Sequence, residues 1–244
     1  MSNINKIKEY LIDLDIDEIK DISSQLDLNT QDLDKYNLIK LILKRFKSLE
    51  KKNSRYNKIK QLGNVGKEGT TYLVENEDKH LYAMKQFKST KSSTNIEKEA
   101  ELQKIAANYD LSPRIYEVNL EQKFIVMEKL DINLCQILKQ NNGELTDNIQ
   151  LHIINIINKL DDIGVFHGDP NPSNFMIHNG KVYIIDFGFS KKIDSQLIEK
   201  YTDKPNKNFM VLGLVLKLRE MFGTRKYDIF EKYLPEDQKK MFQI

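Results

Sequence analysis

Apolar residues recur three and four positions apart over residues 18–26 and again over 36–49, the spacing of amphipathic helices. The first fifty residues contain no Gly and no Pro, so nothing there interrupts a helical unit. From Tyr56 the pattern changes. Short apolar runs at 59–62, 71–74 and 81–87, separated by Gly-rich or charged turns, read as strands. Helical spacing returns over 93–107, with Ser92, Ser93 or Thr94 available as the N-cap. Two further strands are expected at 114–118 and 123–127, then helices at 132–140 and 147–163. A hairpin with strands 175–177 and 182–185 interrupts them around Asn179-Gly180, both of which tolerate the positive φ of a tight turn. The expected fold class is therefore α+β: a five-stranded lobe with one helix, then a mainly helical lobe, preceded by a small all-helical domain. The boundaries read as 1–53 for the helical domain, with Lys51-Lys52-Asn53-Ser54 as linker, and 54–244 for the main domain, its lobes meeting at 128/129.

Composition changes this picture little as a whole and more in its parts. Lys and Arg total 38 against 36 Asp and Glu, so a net charge of +2 gives no global attraction to nucleic acid or to a membrane. Locally, residues 1–34 carry three bases and nine acids, while 35–60 carry ten bases and one acid. Such a switch suggests two faces for different neighbours. The lone Cys135 excludes an internal disulfide and a cysteine-based metal site, and reads as a small buried apolar residue. The N-terminal stretch has no long apolar run, which argues against a signal peptide or a membrane span and places the chain in the cytoplasm.

The chemistry concentrates in His167-Gly168-Asp169-Pro170-Asn171-Pro172-Ser173-Asn174 and in Ile184-Ile185-Asp186-Phe187-Gly188. Phosphoryl transfer from ATP needs a carboxylate near the acceptor hydroxyl and metal ions bridging the phosphates. Asp169 and Asn174 stand five apart on one tight loop, and Asp186 follows an apolar strand where a turn can aim its carboxylate into a cleft. Hard oxygen ligands from two loops suit Mg²⁺, and the phosphotransferase reading takes Asn174 and Asp186 as those ligands and Asp169 as the base. Upstream, Leu81–Lys85 is a strand ending in Ala-x-Lys that resembles the V-A-I-K strand of kinases, and that resemblance would set Lys85 over the α- and β-phosphates. The helix after it offers Glu97, Glu99 and Glu101 to hold that lysine. Gly63, Gly66 and Gly69 form a glycine loop whose backbone can approach phosphates, although Gly63 lies one residue too far upstream of the usual spacing. A Walker A loop is excluded, because Gly66-Lys67 is followed by Glu and the loop joins two strands. His80, His152 and His178 show no ligand spacing.

In motif order and spacing, residues 56–213 resemble the eukaryotic-type protein kinase superfamily, which implies a reduced two-lobed kinase fold and the use of ATP and Mg²⁺. The resemblance makes Met127 the residue guarding the adenine pocket and Glu128 the first residue of the hinge. It also makes Asn208 to Gly213 the start of the helix beneath the catalytic loop. Within the superfamily, Glu99-Ala100-x-Leu102, Leu111-Ser112-Pro113-Arg114 and His-Gly-Asp with Ser173-Asn174 are similar to the small atypical serine/threonine kinases. These include the kinase of the KEOPS tRNA-modification complex and the RIO kinases. That likeness picks Glu99 as the partner of Lys85 and implies a serine/threonine protein kinase acting on a protein substrate. Alternatives are a small-molecule phosphotransferase of the aminoglycoside or choline kinase type, to which Pro172 points, and a partner-regulated ATPase or nucleotide-binding regulator. Gly168 stands where many kinases have the Arg that receives a phosphorylated activation loop, and Asn171 where they have a Lys. After Gly188 about twenty residues are expected before the next helix. Residues 17–28 and 38–42 look like a SAP-type helical unit, for which a protein-docking partner is expected, with DNA or tRNA as the alternative.

Overall fold

The computed structural model describes residues 3–30, 32–52, 55–223 and 227–242. The chain divides into two compact units, residues 1–57 with 76–79, and 58–75 with 80–244.

The first unit contains helices α1 (Asn3–Asp13), α2 (Ile16–Gln25) and α3 (Lys35–Lys52). Leu11, Ile19, Leu38, Ile39 and Ile42 are buried at their junction. Asp15 starts α2 with a capping box: its carboxylate accepts from the backbone of Asp17 and Glu18, and Glu18 accepts from Asp15 N. Helix α1 was absent from the expected elements, although Ile7 and Leu11 already carry its four-residue spacing. The linker assignment needs correction: Lys51 and Lys52 belong to α3, while Asn53 and Ser54 lie outside the described residues.

Strand β1 (Asn57–Leu62) enters the second unit at Lys58, followed by β2 (Gly69–Glu75), β3 (Leu81–Phe87), α4 (Ser93–Asn108), β4 (Ile115–Asn119) and β5 (Phe124–Glu128). The strands form one sheet in the order β1-β2-β3-β5-β4, and each of the pairings β2 to β3, β3 to β5 and β4 to β5 is antiparallel. Helix α4 begins at Ser92, whose hydroxyl accepts from Asn95 N, and buries Ile96 and Ala100 against Ala83, Phe87, Ile125 and Met127 of the sheet.

The remaining elements are β6 (Ile132–Asn133), α5 (Leu134–Gln140), α6 (Asp147–Asp162), β7 (Val165–Phe166), β8 (Phe175–His178), β9 (Lys181–Ile184), β10 (Lys191–Lys192), α7 (Ser195–Tyr201), α8 (Pro205–Phe222), α9 (Asp228–Lys232) and α10 (Glu236–Phe242). The mixed α+β architecture with a five-stranded antiparallel sheet is the one the pattern predicts. Ile153, Ile154, Ile157 and Leu160 of α6 and Met210, Val211, Leu214 and Leu218 of α8 share the larger core. Each such side chain contributes about 1.5–3 kcal/mol when fully buried. The β8–β9 hairpin turns through Asn179 (φ 50°) and Gly180 (φ 75°), as the dipeptide requires.

Three expectations fail in this region. Helix α7 starts only seven residues after Gly188, so the post-Gly188 segment is much shorter than twenty residues. Its apolar spacing (Leu197, Ile198, Tyr201) is too brief to rise above the surrounding polar sequence. Helix α8 begins at Pro205 rather than at Asn208, because Pro fits the first helical turn, where its missing N–H costs nothing. Cys135 is only half-buried, and burial pushes its thiol above the usual range.

Candidate active site

The loop that follows β7 is built before it can act. His167 is fully buried; its N donates to Asn206 Oδ1 at 2.8 Å, and its Nε2 donates to Ile185 O at 3.1 Å. Burial holds its imidazole below the usual histidine range, so it is a neutral scaffold and not an acid. Gly168 follows with φ 79°, and a Cβ there would stand 3.1 Å from Phe189 O. A side chain such as arginine would be strained by that backbone conformation and crowded by Phe166 and Phe189. Asn171 caps the short 3₁₀ turn Pro172–Asn174, its Oδ1 accepting from Ser173 N at 2.9 Å and from Ser173 Oγ at 2.8 Å. Asn174 Nδ2 donates to Asp169 O at 3.2 Å, which leaves Oδ1 as its remaining acceptor. Beneath the loop, Asn206 donates to Val165 O and to Asp161 Oδ1, and Pro170 packs against Gly213 of α8.

Lys85 comes from β3, Glu99 from α4 and Asp186 from the turn after β9. Lys85 Nζ lies 2.5 Å from Glu99 Oε1 and 2.7 Å from Asp186 Oδ1. Burial opposes the ammonium, but the two carboxylates outweigh it and raise the Lys85 pKa above its ordinary value. Glu99 is 2% exposed, and its burial pushes its carboxyl up despite Lys85. Desolvation also pushes Asp186 up, but Lys85 overcomes it and holds this carboxyl below the ordinary range. Asp186 itself adopts φ 67°, a left-handed conformation that Asp tolerates better than most residues. Neither Glu97 nor Glu101 takes the place of Glu99, and Glu101 instead pairs with Lys192 at 2.8 Å.

Lys85 and Asp186 line a cavity of about 560 Å³, and Glu99, which pairs with Lys85, stands outside its lining. The glycine loop between β1 and β2 contributes Asn64, Gly66, Lys67, Glu68 and Gly69 to its wall. Gly168, Asp169, Asn171, Ser173 and Asn174 also line it, together with Lys85, Asp186 and Phe189. Gly63, Met127 and Glu128 stand outside this lining. Met127 Sδ instead accepts from Gln103 Nε2, and Glu128 N donates to Arg114 O. The glycines are also used differently from expectation. Gly66 N donates to Gly69 O within the loop, and a Cβ at Gly69 would collide with Gln86 O across the β2–β3 ladder. Gly69 is thus required by strand pairing. Asn174 and Asp186 offer hard oxygen donors from two loops, a set that fits Mg²⁺.

Sequence reasoning missed Asn206 and Asp161, which hold the catalytic loop, and the ion pair of Glu68 with Lys91 at 2.6 Å. Their partners are 23 or more residues away, so no local spacing announces them.

The chain is similar over residues 56–228 to the protein kinase domain family. It is 33% identical over 84 residues to the KEOPS complex subunit Bud32 of Pyrococcus abyssi, covering 34% of this chain and 38% of that protein. It is 32% identical over 107 residues to a probable bifunctional tRNA threonylcarbamoyladenosine biosynthesis protein of Methanobrevibacter smithii, covering 44% and 19%. A third relative is the serine/threonine-protein kinase MPS1 of Saccharomyces cerevisiae, 27% identical over 162 residues, covering 62% and 21%. The chain thus spans well under half the length of these relatives. The family match begins at Tyr56, so the SAP-type likeness of the helical unit gains no support from it. With more than half of its length matched, the chain belongs to the protein kinase domain family.

Proposed function

We propose that this chain is a serine/threonine protein kinase that transfers the γ-phosphate of ATP to a protein hydroxyl. The observation that carries the reading is Lys85 held between Glu99 and Asp186 on the same cavity as Asp169 and Asn174. Lys85, kept in place by Glu99, is the cation for the α- and β-phosphates. Asn174 and Asp186 are the residues that hold Mg²⁺, which when bound neutralises charge developing on the phosphates. Asp169 accepts the proton of the acceptor hydroxyl as its oxygen bonds to the γ-phosphorus and the bond to ADP breaks. Gly63, Gly66 and Gly69 are assigned to the phosphates, and Met127 and Glu128 to the adenine end. The serine/threonine kinase relative supports a protein acceptor. Residues 1–53 are proposed as a protein-docking domain, its acidic half facing a basic partner. Among the described residues, no helix is long and apolar enough to cross a membrane.

The test incubates the protein with labelled ATP and Mg²⁺ in the presence of acidic and basic proteins, tRNA and aminoglycosides. Label on protein serine or threonine, lost in Asp186→Ala, is expected. Transfer only to an aminoglycoside, or ATP hydrolysis without transfer, would replace the reading by one of its alternatives.

A further inference from the structure

Resting on the kinase reading, we propose that Lys91 is a second cation for the phosphates of the nucleotide, and that Glu68 holds their place when none is bound. Lys91 is only 9% exposed, and its Nζ lies 2.6 Å from Glu68 Oε2 and 3.5 Å from Glu99 Oε2. An ammonium so far removed from water needs a close anion. Glu99 gives Oε1 to Lys85 and keeps Oε2 at 3.5 Å from Lys91, so Glu68 is the nearer of the two anions of Lys91.

Glu68 belongs to the glycine loop, where its carbonyl accepts from Lys88 N at 2.9 Å, and its side chain is 34% exposed, so the carboxylate can turn toward water while the backbone stays. Its Oε2 lies over the Asp-Phe-Gly turn, 2.6 Å from where a Cβ on Gly188 would stand. Carboxylate oxygens of Glu68, Glu99 and Asp186 lie within 4.8 Å of one another. The loop therefore supplies an anion of its own to the cavity lining, beside the lysine assigned to the phosphates, while Lys91, paired with that anion, stands outside the lining. A triphosphate entering that cavity brings anionic oxygens to the same place, and like charges cannot share it.

Lys91 does not depend on the loop for its position. Its carbonyl accepts from Lys123 Nζ at 2.8 Å, its N donates to Lys88 O at 3.1 Å, and its ammonium lies 5.7 Å from the centre of the Phe87 ring. When the Glu68 side chain turns away, Lys91 keeps these contacts. Exchange of the Glu68 carboxylate for a phosphate then restores its nearer anion, with Glu99 Oε2 still 3.5 Å away.

Calorimetric titration of the full chain with ATP and, separately, with adenosine tests this. Lys91→Ala should weaken ATP binding by about tenfold or more and leave adenosine binding unchanged, while Lys91→Arg should retain ATP affinity within about threefold. Glu68→Gln removes the competing anion and should tighten ATP binding by about threefold to tenfold, again without effect on adenosine. Equal losses for ATP and adenosine in Lys91→Ala, or no loss, would overturn the assignment of Lys91. Should Lys91→Ala not fold, Glu68→Gln decides: unchanged or weaker ATP binding overturns the proposal. A wild-type chain that binds no ATP would instead sink the kinase reading itself, and this inference with it.

Discussion

Asp169 and Asp186 face one cavity, but their environments separate their roles. Asp186 is engaged by Lys85 at 2.7 Å, whereas the Asp169 backbone carbonyl is fixed by Asn174 and its side chain lines the open cavity. Asp169→Asn should therefore leave ATP affinity near the wild-type value and lower kcat by about a hundredfold or more, in the range of a lost general base. Calorimetry alongside initial rates separates the two quantities, and equal losses in both would remove Asp169 from the role of base. The charge on Asp186 also has a pH signature. Its carboxyl is held below the ordinary value of 3.8, so the stability it contributes is whole above that pH and is lost as pH falls through the lowered value. The difference in urea stability between wild type and Asp186→Asn should be constant from about pH 5 to 8 and should shrink below 3.8. A difference that grows on acidification would contradict the Lys85 pairing.

At the scale of elements, the catalytic loop is held by helices α6 and α8 through a single buried amide. Asn206 accepts from His167 N and donates to Asp161 Oδ1 and Val165 O. Asn206→Ala strands several of these groups without water, at about 1–3 kcal/mol each, so a loss of about 3–5 kcal/mol in urea unfolding is expected. In the folded fraction kcat should fall while ATP affinity holds. Asn206→Asp should destabilise as well, because it sets a second carboxylate beside Asp161, whose own carboxyl burial already pushes up. The segment after Asp-Phe-Gly is fastened just as firmly. Lys191 and Lys192 pair with Phe166 and Val165, Ser190 Oγ donates to His167 O, Ile193 N donates to Gly164 O, and Lys192 meets Glu101. With these contacts in place, and glycine at 168, no phosphate is needed to order the segment. Phosphatase treatment should leave the initial rate unchanged; a large drop, restored by autophosphorylation, would show that the segment needs a further contact.

For the whole molecule, the question is what the helical unit adds to a kinase domain. Its three helices bury a core of their own around Leu11, Ile19, Leu38 and Ile42, and its acids and bases are divided along the chain at residue 35. Each DNA phosphate neutralised adds roughly 0.9 to the salt slope of log affinity, so a nucleic-acid surface would reveal itself plainly. Fluorescence anisotropy of labelled duplex with the full chain at low salt should show no micromolar, salt-sensitive binding. Removal of residues 1–53 should alter phosphorylation of a protein substrate. Salt-sensitive binding that disappears with the truncation would reverse the assignment and make the basic stretch a nucleic-acid surface.

The sequence by itself determined what is local. The five-apart spacing of Asp169 and Asn174, the Asp-Phe-Gly turn, the strand that carries Lys85 and the Asn179-Gly180 hairpin are each set by neighbours in the chain. Short-range φ/ψ preference and hydrophobic period are enough to read them. Tertiary structure alone decided which groups meet over long loops. It brought Glu99 rather than Glu97 or Glu101 to Lys85, set Asn206 rather than Asn208 under His167, and joined Glu68 to Lys91. In each case several residues of the right type lie within a turn or two of one another. The choice among them follows from the rotation of a helix or the reach of a loop, which packing of the core fixes and sequence spacing does not.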